Sequence, residues 1–249
     1  MGVSFIHIRR QYDFRSIEIG RWVTESERGR AAVRFYEALV TLMQTLKVPE
    51  EVISLKSTLG LQYGIGGQPG VCAHYIPATR QLALAKNAGA GSLAHEWFHA
   101  FDHYIASKVF VQPARGSFAS SLWLSSHQFR HHSLTALLFR CFEAILLNED
   151  GTRPSELFVA SRSADRLQQK LYWANPEEMC ARAFEAFIED KAPRNSFLVK
   201  GTRDSEEARM GLYPTGAERD RVCSAFEDYF NSLGRALKRT ADRAGRQIN

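Results

Sequence analysis

The sequence predicts an α+β fold, mostly helical, with a small antiparallel sheet beside a central helix. Three observations predict it. Apolar residues recur at helical spacing in several long segments. Two strand-like runs, Val71 to Ile76 and Gln81 to Ala85, flank the turn Pro77-Ala78-Thr79-Arg80. Just after them comes His95-Glu96-Trp97-Phe98-His99, inside an uncharged run that fits a helix packed within a domain.

The central helix is predicted from Ser92, a candidate N-cap after a glycine-containing turn, to about Ser107. On it His95 and His99 leave one face, about 5–6 Å apart at Cβ. That spacing lets two ring nitrogens reach one metal at roughly 2.0–2.1 Å, the Zn–N distance. Glu96 lies about 100° round the helix, poorly placed to ligate but well placed to act on a water held there. The pattern points to metal-assisted hydrolysis, with Zn2+ on His95 and His99 and Glu96 as general base. The alternative is a buried helix whose histidines only hydrogen-bond. Asp102 and His103 follow one turn after His99, as partners for an imidazole or as plain surface residues.

Taken in order, residues 1–23 carry no clear pattern. Thr24-Glu25-Ser26-Glu27 is a capping box, and the apolar spacing that follows predicts a helix over 25–46, ended by Pro49. Val52-Ile53-Ser54-Leu55 reads as a short strand. Gly60 to Gly70 is glycine-rich but lacks the Gly-Lys-Ser/Thr ending of a phosphate loop, so it reads as a turn. A hairpin beside the helix would offer an edge strand to an extended peptide. In 108–132 Trp123 and Phe129 are expected to be buried. His127, His131 and His132 are either donors near the site or a polar surface turn. Residues 134–147 and 162–173 read as helices, with a loop from Asn148 to Pro154.

Asn175-Pro176 opens another helix, Pro suiting its first position. A catalytic zinc takes three protein ligands and leaves the fourth position for water. Glu178 is the chosen third ligand. Its alternative is structural, because Asn175-x-x-Glu178 is also a capping box. Glu185, seven residues on and on the same face, is the reserve ligand or an acceptor for a ligating histidine. Arg182 is expected to pair with either carboxylate. Tyr172 is a candidate catalytic donor to an oxyanion, or an ordinary buried tyrosine. Residues 191–213 are polar and loop-like. Thr215-Gly216-Ala217-Glu218 is a third capping box, ahead of a helix that turns Val222, Phe226, Tyr229, Phe230 and Leu233 inward.

The 249 residues, 45% hydrophobic, suit one domain with a substantial core. No apolar run approaches the ~20 residues of a membrane span. The first ten residues lack the layout of a signal peptide, so a cytoplasmic protein with no membrane partner is expected. Cys72, Cys141, Cys180 and Cys223 are too widely spaced for a zinc cluster or redox pair. Net charge is +5, with Arg235, Lys238, Arg239, Arg243 and Arg246 crowding the end. That tail is a solvated helix end or a nucleic-acid contact.

Several runs together resemble a known family. They are Ala73-His74-Tyr75 with Pro77, Arg80, Leu82, Leu84 and Lys86; Gly89 to Trp97; Tyr172-Trp173 with Pro176, Glu178-Met179 and Ala181 to Glu185; and Leu212-Tyr213-Pro214 with Gly216 and Glu218-Arg219. The chain resembles the zincin-like metallopeptidase domain of large polyvalent proteins of phages and conjugative plasmids, and the small stand-alone CLCA_X relatives. The resemblance covers roughly 58–105 and 172–230, leaving 106–171 as a variable helical insertion within a single domain over 1–249. It implies a zincin fold and a zinc peptidase but no particular substrate; a gluzincin type with a protein or peptide substrate is the expectation. His95, His99 and one of Glu178 or Glu185 would be ligands and Glu96 the base. The alternative from another class is a non-catalytic binding or DNA-associated factor of a mobile element on the same scaffold.

Overall fold

The computed structural model describes residues 2–65, 73–86 and 91–246, with side chains to Arg243. Gly66, Gly67, Gly70, Val71, Cys72, Gly89 and Ala90 lie outside the described residues. The order is α1 (Phe5–Tyr12), β1 (Ser16–Ile19), α2 (Glu25–Leu46), α3 (Glu50–Ile53), β2 (Gly60–Tyr63), β3 (Ala73–Ile76) and β4 (Gln81–Leu84). Then come α4 (Leu93–Val109), α5 (Ala119–Leu124), α6 (Ser133–Leu146), α7 (Glu156–Gln168), α8 (Pro176–Lys191), α9 (Glu206–Arg209) and α10 (Gly216–Arg246). The chain is a mixed α+β protein, mostly helical. Among the described residues, no helix is long and apolar enough to cross a membrane.

The sheet corrects one expectation. It has four strands in the order β1-β2-β4-β3, and only β3 and β4 run antiparallel. β1 pairs parallel with β2, and β2 parallel with β4. The hairpin around Pro77–Arg80 is there, but the unread N-terminal segment supplies β1 as a further strand. A four-residue strand, Ser-Ile-Glu-Ile, is too short to carry a period. β3 is an edge strand, with no strand on its far side among the described residues.

The Val52–Leu55 strand is also corrected. Val52 and Ile53 belong to α3, and Leu55, Lys56 and Ser57 follow in a left-handed turn with φ of 53°, 53° and 62°. Short apolar runs fit a buried helical turn as well as a strand. Phe129 is 36% exposed rather than buried. The helix expected over 162–173 starts earlier, at Glu156, where the Ser155 hydroxyl accepts from the Phe158 amide. It also ends earlier, because Asp165 collects the amides of Tyr172, Trp173 and Ala174 at 3.0, 2.8 and 3.0 Å. The Thr24–Glu27 capping box forms and α2 has the expected bounds.

The core is aromatic and lies behind the histidine face of α4. Trp97, Phe98 and Phe101 of α4 meet Phe184 and Phe187 of α8 and Phe226 and Phe230 of α10. Ring centroids are 4.8 Å apart for Phe98–Phe184 and 5.5 Å for Phe184–Phe226, inside the range for favourable ring pairs. Trp97 is fully buried, and its indole N–H donates to the Ile53 carbonyl at 3.0 Å. α4 is covered nearly all round, so that Glu96, His99 and Asp102 are buried along with its apolar side chains. α6, within the 106–171 segment, packs on α10 and α8 and buries Leu138, Phe142 and Ile145.

Two features give predictions here. A Cβ on Gly234 would stand 2.2 Å from the Lys47 carbonyl oxygen, so α10 crosses the end of α2 backbone to backbone. Gly234→Ala should cost about 1–3 kcal/mol by overpacking, read as a lower denaturation midpoint at unchanged m-value. The second is Arg219, whose side chain is 4% exposed and which holds Asp190 through two nitrogens at 2.7 and 2.8 Å. Burial pushes the Asp190 carboxyl upward, but the Arg219 and Arg203 guanidiniums outweigh it and hold the group below its usual range. Its contribution is therefore present above the ordinary carboxylate pKa and lost as pH falls through the lowered one. Asp190→Ala removes the two-point partner of a buried guanidinium that keeps Glu189 at 3.8 Å and the Ala186 carbonyl at 3.1 Å, and should cost about 1–3 kcal/mol in chemical denaturation.

Candidate metal centre

α4 begins without a side-chain cap. Ser92 makes no capping bond, and the Ala94 amide donates instead to the Leu198 carbonyl at 3.0 Å. The helix start is therefore pinned to the loop after α8, which sets where His95 points.

His95 and His99 turn their Nε2 atoms to one point, 3.0 Å apart. Glu178 straddles the same point from α8. Its Oε2 lies 3.3 Å from His95 Nε2 and its Oε1 lies 3.4 Å from His99 Nε2. Bonds of about 2.0–2.1 Å at tetrahedral angles set ligand atoms roughly 3.3–3.4 Å apart. These three side chains stand at that spacing. They form the one group of three or more such donors among the described residues close enough to share an ion. All three are largely buried, their side chains 15%, 9% and 13% exposed.

The capping alternative for Glu178 is not realised. Asn175 forms no side-chain cap bond, and the Glu178 carboxylate faces the histidines. Glu178 Oε2 is buried with no hydrogen-bond partner, which is costly unless a cation meets it. Burial alone would push this carboxyl up. His95 and His99 outweigh that and hold it well below its usual range. Burial likewise lowers His95, while Glu185, Glu178 and Glu96 raise it well above the usual value. Three carboxylates around two imidazoles thus make a pocket of negative charge, and the donor set fits a divalent cation.

Glu185 does not join the triangle. Its Oε2 accepts from His95 Nδ1 at 3.1 Å, behind the ring. It takes the second role foreseen for it, as acceptor rather than ligand. Glu96 is nearly buried, and no hydrogen bond or ion pair holds its carboxylate among the described residues. Tyr172 lies beside Glu178; burial first, then that carboxylate, raises its hydroxyl above the usual range, so it stays a donor.

Other expectations are corrected. Asp102 does not orient a histidine; it accepts from the Ser120 amide at 2.9 Å and hydroxyl at 2.5 Å, capping α5. Burial pushes its carboxyl up to about 6 against those two bonds. His103 Nδ1 sits 2.6 Å from the Tyr75 hydroxyl, tying α4 to β3. Arg182 pairs with neither glutamate: it donates to Leu212 O at 2.8 Å, Ser161 Oγ at 3.0 Å and Trp173 O at 2.6 Å. His127, His131 and His132 are exposed, as the surface-turn reading has them; the first two pack on Phe110 and Phe129, and His132 caps α6. Glu218 makes no capping box either, since it accepts from the Leu157 amide at the start of α7.

One residue at the centre was not foreseen. The Tyr213 hydroxyl donates to Glu185 Oε2 at 3.1 Å. Its only signal was membership of the Leu212-Tyr213-Pro214 motif.

No curated protein and no solved structure matches the chain. A family model described as large polyvalent protein-associated domain 1 matches residues 164–237, a stretch that carries Tyr172, Glu178, Glu185 and Tyr213 but not the two histidines. That match links this part of the chain with the large polyvalent proteins, and it speaks to the link rather than to an activity.

Proposed function

We propose that the chain is a zinc-dependent peptidase, with His95, His99 and Glu178 holding the metal. The observation that carries this reading is the triangle of two imidazole nitrogens and one buried carboxylate at 3.0, 3.3 and 3.4 Å. A bound zinc would supply a Lewis acid for a carbonyl oxygen and acidify a water. Glu96, next to His95 and unengaged, takes the proton from the attacking water and passes it to the leaving amine. Tyr172 keeps its proton beside Glu178 and in this reading donates a hydrogen bond to the developing oxyanion. β3, with no strand on its far side among the described residues, would offer backbone groups to an extended peptide. The zincin (gluzincin) assignment and a peptide substrate both belong to this reading.

Metal analysis and hydrolysis of an unfolded protein substrate test it. Protein purified without chelator should hold about one zinc per chain and cleave the substrate. A strong chelator should abolish cleavage and added zinc restore it. Protein that neither retains nor takes up zinc would overturn the reading.

One observation favours a second reading, a nucleic-acid-associated factor of a mobile element. The end of α10 stands clear of the core, with Arg235, Lys238, Arg239 and Arg243 exposed. If that reading holds, duplex DNA binds with a steep inverse dependence on salt, deletion of 235–249 removes the binding, and Glu96→Gln leaves it intact.

A further inference from the structure

Behind His95 lies a chain of contacts that metal coordination does not require. His95 Nδ1 meets Glu185 Oε2 at 3.1 Å, and the same oxygen accepts the Tyr213 hydroxyl at 3.1 Å. Glu185 is 5% exposed. Tyr213 reaches it from a loop 28 residues away in sequence. Two features fix that loop. Arg182, one turn before Glu185 on α8, grips the Leu212 carbonyl at 2.8 Å, so the helix that carries Glu185 also sets the backbone beside Tyr213. Pro214 follows Tyr213 and disfavours the helical region for its backbone.

We infer that Tyr213 is a positioning residue. It locks Glu185 as the acceptor for His95 Nδ1–H, and so holds the imidazole in the tautomer whose Nε2 lone pair faces Glu178. The inference rests on the peptidase reading in naming the metal as what His95 is held for, but the relay itself is read from the three side chains. An imidazole has one donor and one acceptor nitrogen when neutral, and the hydrogen bond at one decides which is free. With Tyr213 hydrogen-bonded to the same oxygen, the Glu185 carboxylate is held at a second point. Burial, then the charge and hydrogen bond of Glu185, raise the Tyr213 hydroxyl above its ordinary range, so it is a donor across the physiological range. Partners of this kind, behind a ligand, typically change metal affinity 10–100-fold.

Tyr213→Phe tests this, because it removes the hydroxyl and keeps the ring. Three measurements are made on the full chain. Zinc affinity, by competition with a chromophoric chelator, should fall about tenfold, the low end of that range. In Tyr213→Phe/Glu185→Ala the fall should be no greater than in Glu185→Ala alone, since Tyr213 acts through Glu185. The nitrogen resonances of His95 in metal-free wild type, at a pH alkaline enough to leave the imidazole neutral, should show the proton on Nδ1, and in Tyr213→Phe a mixture of tautomers. A merely structural role would lower the melting temperature and leave these resonances alone. Unchanged zinc affinity with unchanged His95 resonances overturns the inference, as does additivity in the double variant. Wild type with the His95 proton on Nε2 overturns it without any variant. Wild type that takes no zinc overturns the peptidase reading instead, and the metal-free resonances still decide on Tyr213.

Discussion

Glu96→Gln should keep its zinc and lose about 10²–10⁴-fold in the rate of peptide hydrolysis, the span that a positioned acid–base group contributes. In activation free energy that is roughly 3–5 kcal/mol. Glu96 lies about 100° round α4 from His95, so its carboxylate cannot join the two imidazoles on a shared ion, and the amide should not change the zinc stoichiometry. Glutamine has the same length and also accepts hydrogen bonds, but it cannot take a proton at neutral pH. The substitution thus separates holding the metal from moving the proton. Zinc content by elemental analysis and initial rates on an unfolded protein substrate are the two measurements. A variant that cleaves at the wild-type rate would remove Glu96 from the chemistry. A variant that loses zinc would give it a ligand's role.

What was legible in the sequence was what is local along the chain. The bounds of α2 follow from a capping box and a 3.6-residue spacing, and the box forms as read. The His95–His99 pair follows from one helical turn. The other two capping boxes show the limit. Glu178 and Glu218 each stand three residues after a good N-cap residue, yet each is drawn off by a partner far away, the histidines of α4 in one case and the Leu157 amide in the other. A carboxylate near a helix start serves whichever donor or charge the tertiary fold brings it. β1 was illegible for a similar reason: its four residues have meaning only once Gly60–Tyr63 lies alongside in parallel. Tyr213 escaped because a hydrogen bond across 28 residues leaves no periodic trace. Asp102 misled because its place one turn after His99 suggested a metal-side role, whereas α5 supplied a nearer claimant, Ser120.

Glu178→Ala should weaken zinc by about 10²–10³-fold. Four-ligand structural sites gain about 10–16 kcal/mol from zinc, which is about 2.5–4 kcal/mol per ligand. Glu185→Ala removes a partner of a ligand and should cost less, about 10–100-fold. The two ranges touch, so a second readout separates them. Zinc binding only the folded chain stabilises it by RT ln(1 + [L]/Kd), about 4 kcal/mol at a thousandfold excess over Kd. At one fixed zinc concentration, Glu178→Ala should lose most of the rise in melting temperature that zinc gives wild type, and Glu185→Ala should keep much of it. The metal-free proteins provide the internal control. Glu178 is held below its usual range by His95 and His99 without any metal, so deleting it should also destabilise the metal-free fold. Glu185 holds both His95 and Tyr213, so deleting it should destabilise the metal-free fold by about 1–3 kcal/mol through the donors left unpaired. The two glutamates are therefore expected to part company in the zinc-bound state, with both contributing to the metal-free fold. Equal losses of zinc affinity, with equal losses of the zinc-induced rise in melting temperature, would mean that the two carboxylates share the ion and that the triangle is drawn on the wrong corner.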